Sequence, residues 1–231
     1  MLKGVRLVSL DVTNTLIGLR ESPGQTYQRI GAKHELKLDA DLIQERFPAA
    51  FKRLELQKPA FDYAGSGSVR WWRDLLDEVC VEDKDNVNFG RFYVDLYRHY
   101  YIDAAAWRIL DEKIFSYFDR FHSLGLKVGV ISNFDMRLRT ILRHLKLLDR
   151  VDYLVLSGEV GVQKPDGKIL EILQEKSGIQ RKDEIVHIGD NVEKDYKAAL
   201  DYGIRAILYD PKKKFEDWKE IQRISSFEEM F

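Results

Sequence analysis

The feature that most constrains this chain is a set of five short apolar runs, at residues 5–10, 127–131, 153–156, 185–188 and 205–209. Each is β-branched or aliphatic, too short for a helix, and bounded by polar residues or glycine, as buried strands are. Runs that are apolar at nearly every position suit strands covered on both faces, the situation of a parallel sheet. Helical patterns at 107–123, 135–147, 166–176 and 193–202 separate them. Leu138, Ile141, Leu142 and Leu145 fall on one stripe, and Ile169, Leu170 and Leu173 on another. Gly203 follows the last pattern as a left-handed terminator. Strand and helix in alternation define an α/β class.

The first strand stands apart from the rest. No further strand is expected before residue 127, and the interval carries helical patterns at 25–35, 41–56, 69–81 and 89–102. A parallel crossover needs only about a dozen residues, so this interval implies a second unit inserted into the first. The expected division is an α/β core at 1–16 and 106–231 with a helical cap at 17–105. Within the cap, residues 63–68 (Tyr-Ala-Gly-Ser-Gly-Ser) are the most flexible by composition. Lys212, Lys213 and Lys214 read as a solvated basic turn.

Hydrophobic residues make up 45% of the 231, enough for a packed core. Lys and Arg number 37 against 38 Asp and Glu, a net charge of -1 that argues against nucleic acid or an anionic membrane as partner. No apolar run approaches the roughly 18 residues of a membrane span. Lys3 and Arg6 interrupt the first run and no small-residue cleavage site follows, so no signal peptide is expected. The single cysteine, Cys80, has no intrachain partner and reads as a small buried hydrophobe. A cytoplasmic protein is expected.

Polar residues at the strand ends carry the chemistry. The first strand delivers Asp11, the second Ser132 and the fourth Gly189-Asp190. Open α/β sheets bind ligands in the crevice beyond the carboxyl ends of their strands, so these side chains converge on one edge. Each alone is as well explained as a helix cap or turn residue. Their coincidence with Lys164-Pro165 favours a site. Pro165 is expected at a helix start, which would fix the placement of Lys164. His34, His99, His122, His144 and His187 show no ligand spacing and read as structural. Aromatic residues crowd positions 89–101 at helical spacing, the pattern of core packing. Of the neighbours Trp71 and Trp72, one is expected towards the cleft and the other buried. Arg70 and Arg73 could read an anion, though exposed helical arginines usually do nothing specific.

These residues resemble the haloacid dehalogenase-like hydrolases, a superfamily made up mostly of magnesium-dependent phosphatases. Asp11-Val12-Thr13-Asn14-Thr15-Leu16 is similar to the nucleophile motif and Val130-Ile131-Ser132-Asn133 to the second. Lys164-Pro165 is similar to the third motif, and Gly189-Asp190-Asn191 with Asp195 to the fourth. The segments Ser132-Asn133-Phe134-Asp135 and Tyr63…Trp71-Trp72 most resemble the subgroup called haloacid dehalogenase-like hydrolase domain-containing protein 3. The resemblance implies a Rossmann-like parallel sheet with an inserted helical cap that sets substrate choice. It also implies a small phosphorylated substrate and an aspartyl-phosphate on Asp11. Magnesium would be held by Asp11, Asp190 and the backbone carbonyl of Thr13, and the phosphoryl group by Ser132, Asn133 and Lys164. Thr15, Asn191 and Asp195 would have supporting roles, Asp195 by orienting Lys164 or the metal's surroundings.

Two positions depart from the family pattern. Asn14 stands where glycine is common, and asparagine tolerates the left-handed backbone that glycine would supply. Thr13 replaces the aspartate that protonates the leaving group and then activates water. A positioned acid–base group contributes about 10²–10⁴ in rate, so slow turnover is expected. Two other readings compete: a weak or inactive member that binds phosphorylated ligands or protein partners, and a metal-independent dehalogenase. Gly189-Asp190 matches the metal-binding form of the last motif and disfavours the dehalogenase.

Overall fold

The apolar runs become the strands of a six-stranded sheet in the computed structural model, which describes Met1 to Phe231. In chain order the strands are β1 (Leu7–Leu10), β2 (Ile17–Leu19), β3 (Trp107–Ile109), β4 (Lys127–Ser132), β5 (Tyr153–Leu156), β6 (Ile185–Gly189), β7 (Arg205–Tyr209) and β8 (Arg223–Ile224). The large sheet runs β5-β4-β1-β6-β7-β8, and every neighbouring pair in it is parallel. β1 sits in the middle although it comes first in sequence, which requires the chain to leave and return on either side of it. The fold is the expected α/β, Rossmann-like architecture.

Strand alternation divides the core. Val8, Leu10, Val128, Val130, Val186 and Ile188 face one apolar cluster, while Leu7, Ile131, Val155, Ile185 and Leu208 face another. The second face is covered by the helices Lys168–Ser177 and Ala198–Tyr202. Ser9 and His187 are register partners on that same face, which places polar groups directly beneath Asp11.

Between residues 23 and 100 the chain is helical, as expected, with its own buried apolar cluster running from Tyr27 to Tyr97. Pro23–Ala32 begins with a capping box between Ser22 and Gln25, and Ala40–Gln57 is capped by Asp39. The aromatic run at 89–101 splits into the helix Phe89–Val94 and a π-helical segment, Asp95–Tyr100. It buries Phe89, Phe92, Tyr93, Leu96 and Tyr97.

Three strands lie outside the sequence reading. β2 and β3 form a separate antiparallel ladder where the helical segment leaves and rejoins the sheet, and β8 extends the sheet edge. The expectation of no strand before residue 127, and of a helix from 107, is therefore corrected: the helix starts at Ile114. Strands of two and three residues are too short to display a period. Pro165 does not start a helix either, since it precedes by three residues the helix that begins at Lys168. Residues 63–68 are tied down at their start: Asp62 accepts hydrogen bonds from the Ser66 amide and hydroxyl. No helix is long and apolar enough to cross a membrane.

Candidate active site

Asp11 follows β1 directly, and its amide continues the ladder by donating to the Ile188 carbonyl at 2.9 Å. Register then brings the end of β6 alongside, so Gly189 and Asp190 sit next to Asp11. Past β6 the chain enters a π-helical turn, Val192–Lys197, in which the Asp195 and Tyr196 amides both donate to the Asn191 carbonyl. The Asn191 side chain caps this turn through the Glu193 and Lys194 amides. The wider turn aims Asp195 back at the strand end. Oxygens of Asp11, Asp190 and Asp195 consequently lie within 4.8 Å of one another.

A lysine stands among these acids. Lys164 Nζ donates to Asp11 Oδ1 at 2.7 Å, to Asp195 Oδ1 at 2.5 Å and to the Ile131 carbonyl at 3.3 Å, and the residue is only 2% exposed. Its backbone is clamped by Asn133, whose side-chain oxygen accepts from the Lys164 amide and whose side-chain nitrogen donates to the Lys164 carbonyl, both at 2.8 Å. Thr15 donates its hydroxyl to Asp11 Oδ2 at 3.3 Å. Ser132, at the end of β4, is buried and its hydroxyl takes part in none of these bonds.

Beneath the acids lies a chain of groups that sequence reasoning did not assign to the site. His187 shares a hydrogen bond with Asp195 Oδ1 at 3.2 Å and another with the Ser9 hydroxyl at 2.8 Å. Asp195 Oδ2 accepts from the Asn191 amide at 3.0 Å. Both Asp195 oxygens are thus engaged by the protein.

Electrostatics separate the three carboxyls. Burial, reinforced by the charges of Asp11 and Asp195, pushes Asp190 up to about 7. Burial also raises Asp11, against the pull of Lys164. Asp195 is held below its ordinary value despite burial, because Lys164 and His187 stabilise its charge. Burial alone would lower Lys164, but Asp11 and Asp195 more than reverse this and hold it charged. Burial thus outweighs the nearby positive charge at Asp11 and Asp190, and the charge outweighs burial at Asp195.

Thr13 and Asn14 form the tight turn after Asp11. Asn14 takes φ +64°, the left-handed conformation its side chain tolerates, and its amide donates to the Ile17 carbonyl at 2.8 Å. With Asp190, Thr13 and Asn14 line a cleft of about 840 Å³ that continues past β2, Arg108 and the loop after β7. Trp71 is buried. Trp72 donates to Asp135 and lines a separate apolar pocket of about 60 Å³. Arg70 and Arg73 pair with Asp74 and Asp77 one helical turn on, at 2.6 and 2.8 Å.

Known proteins share this arrangement of chain. The family model for haloacid dehalogenase-like hydrolases matches residues 5–203. Haloacid dehalogenase-like hydrolase domain-containing protein 3 of Danio rerio is 33% identical over 213 residues, covering 90% of this chain and 86% of the relative. The Rhythmically expressed gene 2 protein of Drosophila melanogaster is 31% identical over 221 residues, covering 90% and 84%. Among solved structures, the HAD-hydrolase YfnB from Bacillus subtilis, bound to magnesium, superposes with a TM-score of 0.73 at 15% identity, covering 98% of this chain and 96% of that one. The last likeness is one of fold. With the sequence matches spanning both sides of the helical segment, this chain belongs to the haloacid dehalogenase-like hydrolases, in the subgroup of domain-containing protein 3.

Proposed function

We propose that this protein is a magnesium-dependent hydrolase that removes phosphate from a small phosphorylated metabolite by way of an aspartyl-phosphate on Asp11. One observation carries the reading: Asp11 and Asp190 bring carboxylate oxygens within 4.8 Å of each other beside a buried lysine. Repulsion on this scale favours a cation. The donors are all oxygen, which suits magnesium held by one or two carboxylates and water. As the family resemblance implies, the ion would be held by Asp11, Asp190 and the Thr13 carbonyl, while Asp195 is held by Lys164, His187 and the Asn191 amide. Its contribution when bound is to offset the negative charge of the phosphoryl group.

The chain's own groups divide the remaining work. A carboxylate oxygen of Asp11 attacks phosphorus, the ester P–O bond breaks, and the leaving oxygen takes a proton from water. Water then attacks the acyl phosphate, which releases inorganic phosphate and restores the Asp11 carboxylate. Ser132 and Lys164 donate to the phosphoryl oxygens while charge moves among them. Asn133, Asp195, His187 and Asn191 position Lys164, directly or through one another, and Thr15 fixes Asp11. The helical segment at 17–105 acts as the cap. Thr13 offers no carboxylate for either proton transfer, so turnover is slow.

Magnesium-dependent release of phosphate from an aryl phosphate, abolished in Asp11→Asn, is the expected result. Absence of release at any magnesium concentration overturns the reading. Thr13 favours one alternative, a weak or inactive member that binds phosphorylated ligands or a protein partner. It would show magnesium-dependent binding of a phosphate mimic with no turnover. Halide release without metal would mark a dehalogenase instead.

A further inference from the structure

The cleft beyond Asp190 is cationic by construction. β2 and β3 pair with Gly18 opposite Arg108, and the ladder continues as the Arg20 amide donates to the Ala106 carbonyl at 3.0 Å. Alternation then puts Arg20, Gly18 and Arg108 on one face of the ladder. Ile17, Leu19, Trp107 and Ile109 take the other face and pack against the main core. A ladder of this size has one wet face, and here that face carries two arginines.

Lys212 and Lys214 approach the same cleft from the loop after β7. This loop is built rather than loose. The buried Asp210 accepts from the Lys214 and Phe215 amides, both at 2.9 Å, and its carbonyl accepts from the Lys213 amide. None of Arg20, Arg108, Lys212 and Lys214 forms an ion pair, whereas Arg29, Arg46, Arg70, Arg73 and Arg139 all do. Apart from Asp190, the carboxylates that line the cleft are already engaged: Asp210 by the loop amides, and Glu21 by Arg29 at 2.7 Å and the Thr26 hydroxyl at 3.3 Å. Four cations without an ion-pair partner thus share a concavity of about 840 Å³ with Thr13 and Asp190, two of the residues assigned to the proposed metal site next to Asp11. That volume is typical of small-molecule sites, and four cations against three carboxylates, one of them (Glu21) already paired with Arg29, leave a lining that favours an anion.

The geometry points to a substrate with two anionic ends: the phosphate that is removed, and a carboxylate or second phosphate on the leaving group, held by Arg20, Arg108, Lys212 and Lys214. This deepens the proposed function and rests on it for the first end only. Guanidinium forks suit carboxylate and phosphate alike, so the shared feature is a second planar or tetrahedral oxyanion.

The test has two arms on the 231-residue chain. In the first, magnesium-dependent phosphate release is compared for phenyl phosphates that carry a 3-carboxymethyl or a 3-carbamoylmethyl group. The carboxylate ester is expected to have a kcat/KM at least tenfold higher, and the ratio to fall within about twofold of one in the Arg20→Gln, Arg108→Gln double variant. The second arm measures binding of 4-phosphonobutyrate and butylphosphonate in magnesium, which needs no turnover. The doubly anionic compound is expected to bind at least tenfold more tightly, and the preference to vanish in the double variant. Equal binding of the two phosphonates overturns the inference, as does a preference that survives the double variant. Preferential binding without hydrolysis of either ester would sustain the second anion site and defeat the hydrolase reading. Hydrolysis of both esters at one rate, with equal phosphonate binding, would do the reverse.

Discussion

Gly189 lies so tightly against the Asp195 carboxylate that a methyl group on its Cα would overlap it. Asp195 cannot yield, because Lys164, His187 and the Asn191 amide hold its oxygens from three directions. Gly189→Ala is therefore expected to push Asp195 off Lys164 and to destabilise the fold by about 1–3 kcal/mol, the range for overpacking a close-fitted site. Phosphate release should fall by about 10²-fold, since misplacing a positioned group by an ångström is that costly. Thermal unfolding and steady-state kinetics on the same variant check both. A variant with wild-type melting and rate would show that Asp195 has room to move.

Much of this site was legible because its residues sit at strand ends. Asp11, Ser132 and Asp190 follow runs whose apolar character on both faces identifies a parallel sheet, and the pairing of its central strands brings Asp11 and Asp190 side by side. The placement of Lys164 was legible only through motif order, since nothing local in Gln163-Lys164-Pro165 specifies burial. His187 was invisible as a site residue. It lies within an apolar run, and only the register with Ser9 and the π-helical turn after Asn191 connect it to Asp195. The two arginines of the cleft were invisible for a different reason. Arg20 and Arg108 are distant in sequence and meet through a ladder of three residues per strand, too short to show alternation. Lys212 and Lys214 looked like any solvated turn because the Asp210 bonds that order the loop are a tertiary fact.

Thr13 should limit the rate of the second chemical step. Thr13→Asp places a carboxylate in the turn that lines the cleft beside Asp190. Steady-state hydrolysis of an aryl phosphate should rise by about 10²–10⁴, the usual contribution of a positioned acid–base group. Acid quench of the wild type with a labelled ester should trap phosphate on the protein, with less trapped in the variant. A variant no faster than the parent would mean that water already supplies the proton at no disadvantage.

Magnesium affinity should depend on pH through Asp190. Burial and the neighbouring charges of Asp11 and Asp195 raise its carboxyl from 3.8 to about 7. Below pH 7 a cation must displace the proton, so affinity should climb by up to about tenfold per pH unit and level off above it. The sign for the metal-free fold is the opposite. The folded state binds this proton more tightly than the unfolded chain, so the contribution to stability is full below pH 4 and is lost as pH rises through 7. Magnesium added at pH 8 should restore it. Calorimetric titration of magnesium between pH 5.5 and 8.5 tests the first trend, and thermal melts with and without the ion test the second. Affinity that does not vary with pH would mean Asp190 is already ionised at pH 5.5.

Trp72 and Asp135 tie the helical segment to the turn that follows Ser132 and Asn133. The indole Nε1 donates to Asp135 Oδ2 at 2.7 Å, while Arg137 reaches the same carboxylate with Nη2 at 2.7 Å and Nε at 2.9 Å to Oδ1. The guanidinium lies over the rings of Trp72 and Tyr97, at 4.9 and 3.9 Å from their centroids. Asp135 and Arg137 are both buried, so the two ways of breaking the cluster should differ. Asp135→Ala leaves a buried cation without its partner and is expected to cost about 3–5 kcal/mol. Trp72→Phe keeps an aromatic face for Arg137 and loses one hydrogen bond to a charged acceptor, about 1.5–3 kcal/mol. Urea unfolding of the two variants should rank them in that order. The reverse order would mean that the indole's packing, against Phe51, Phe61 and Trp71, outweighs the buried charge pair. The join would then be an apolar seam rather than a polar latch.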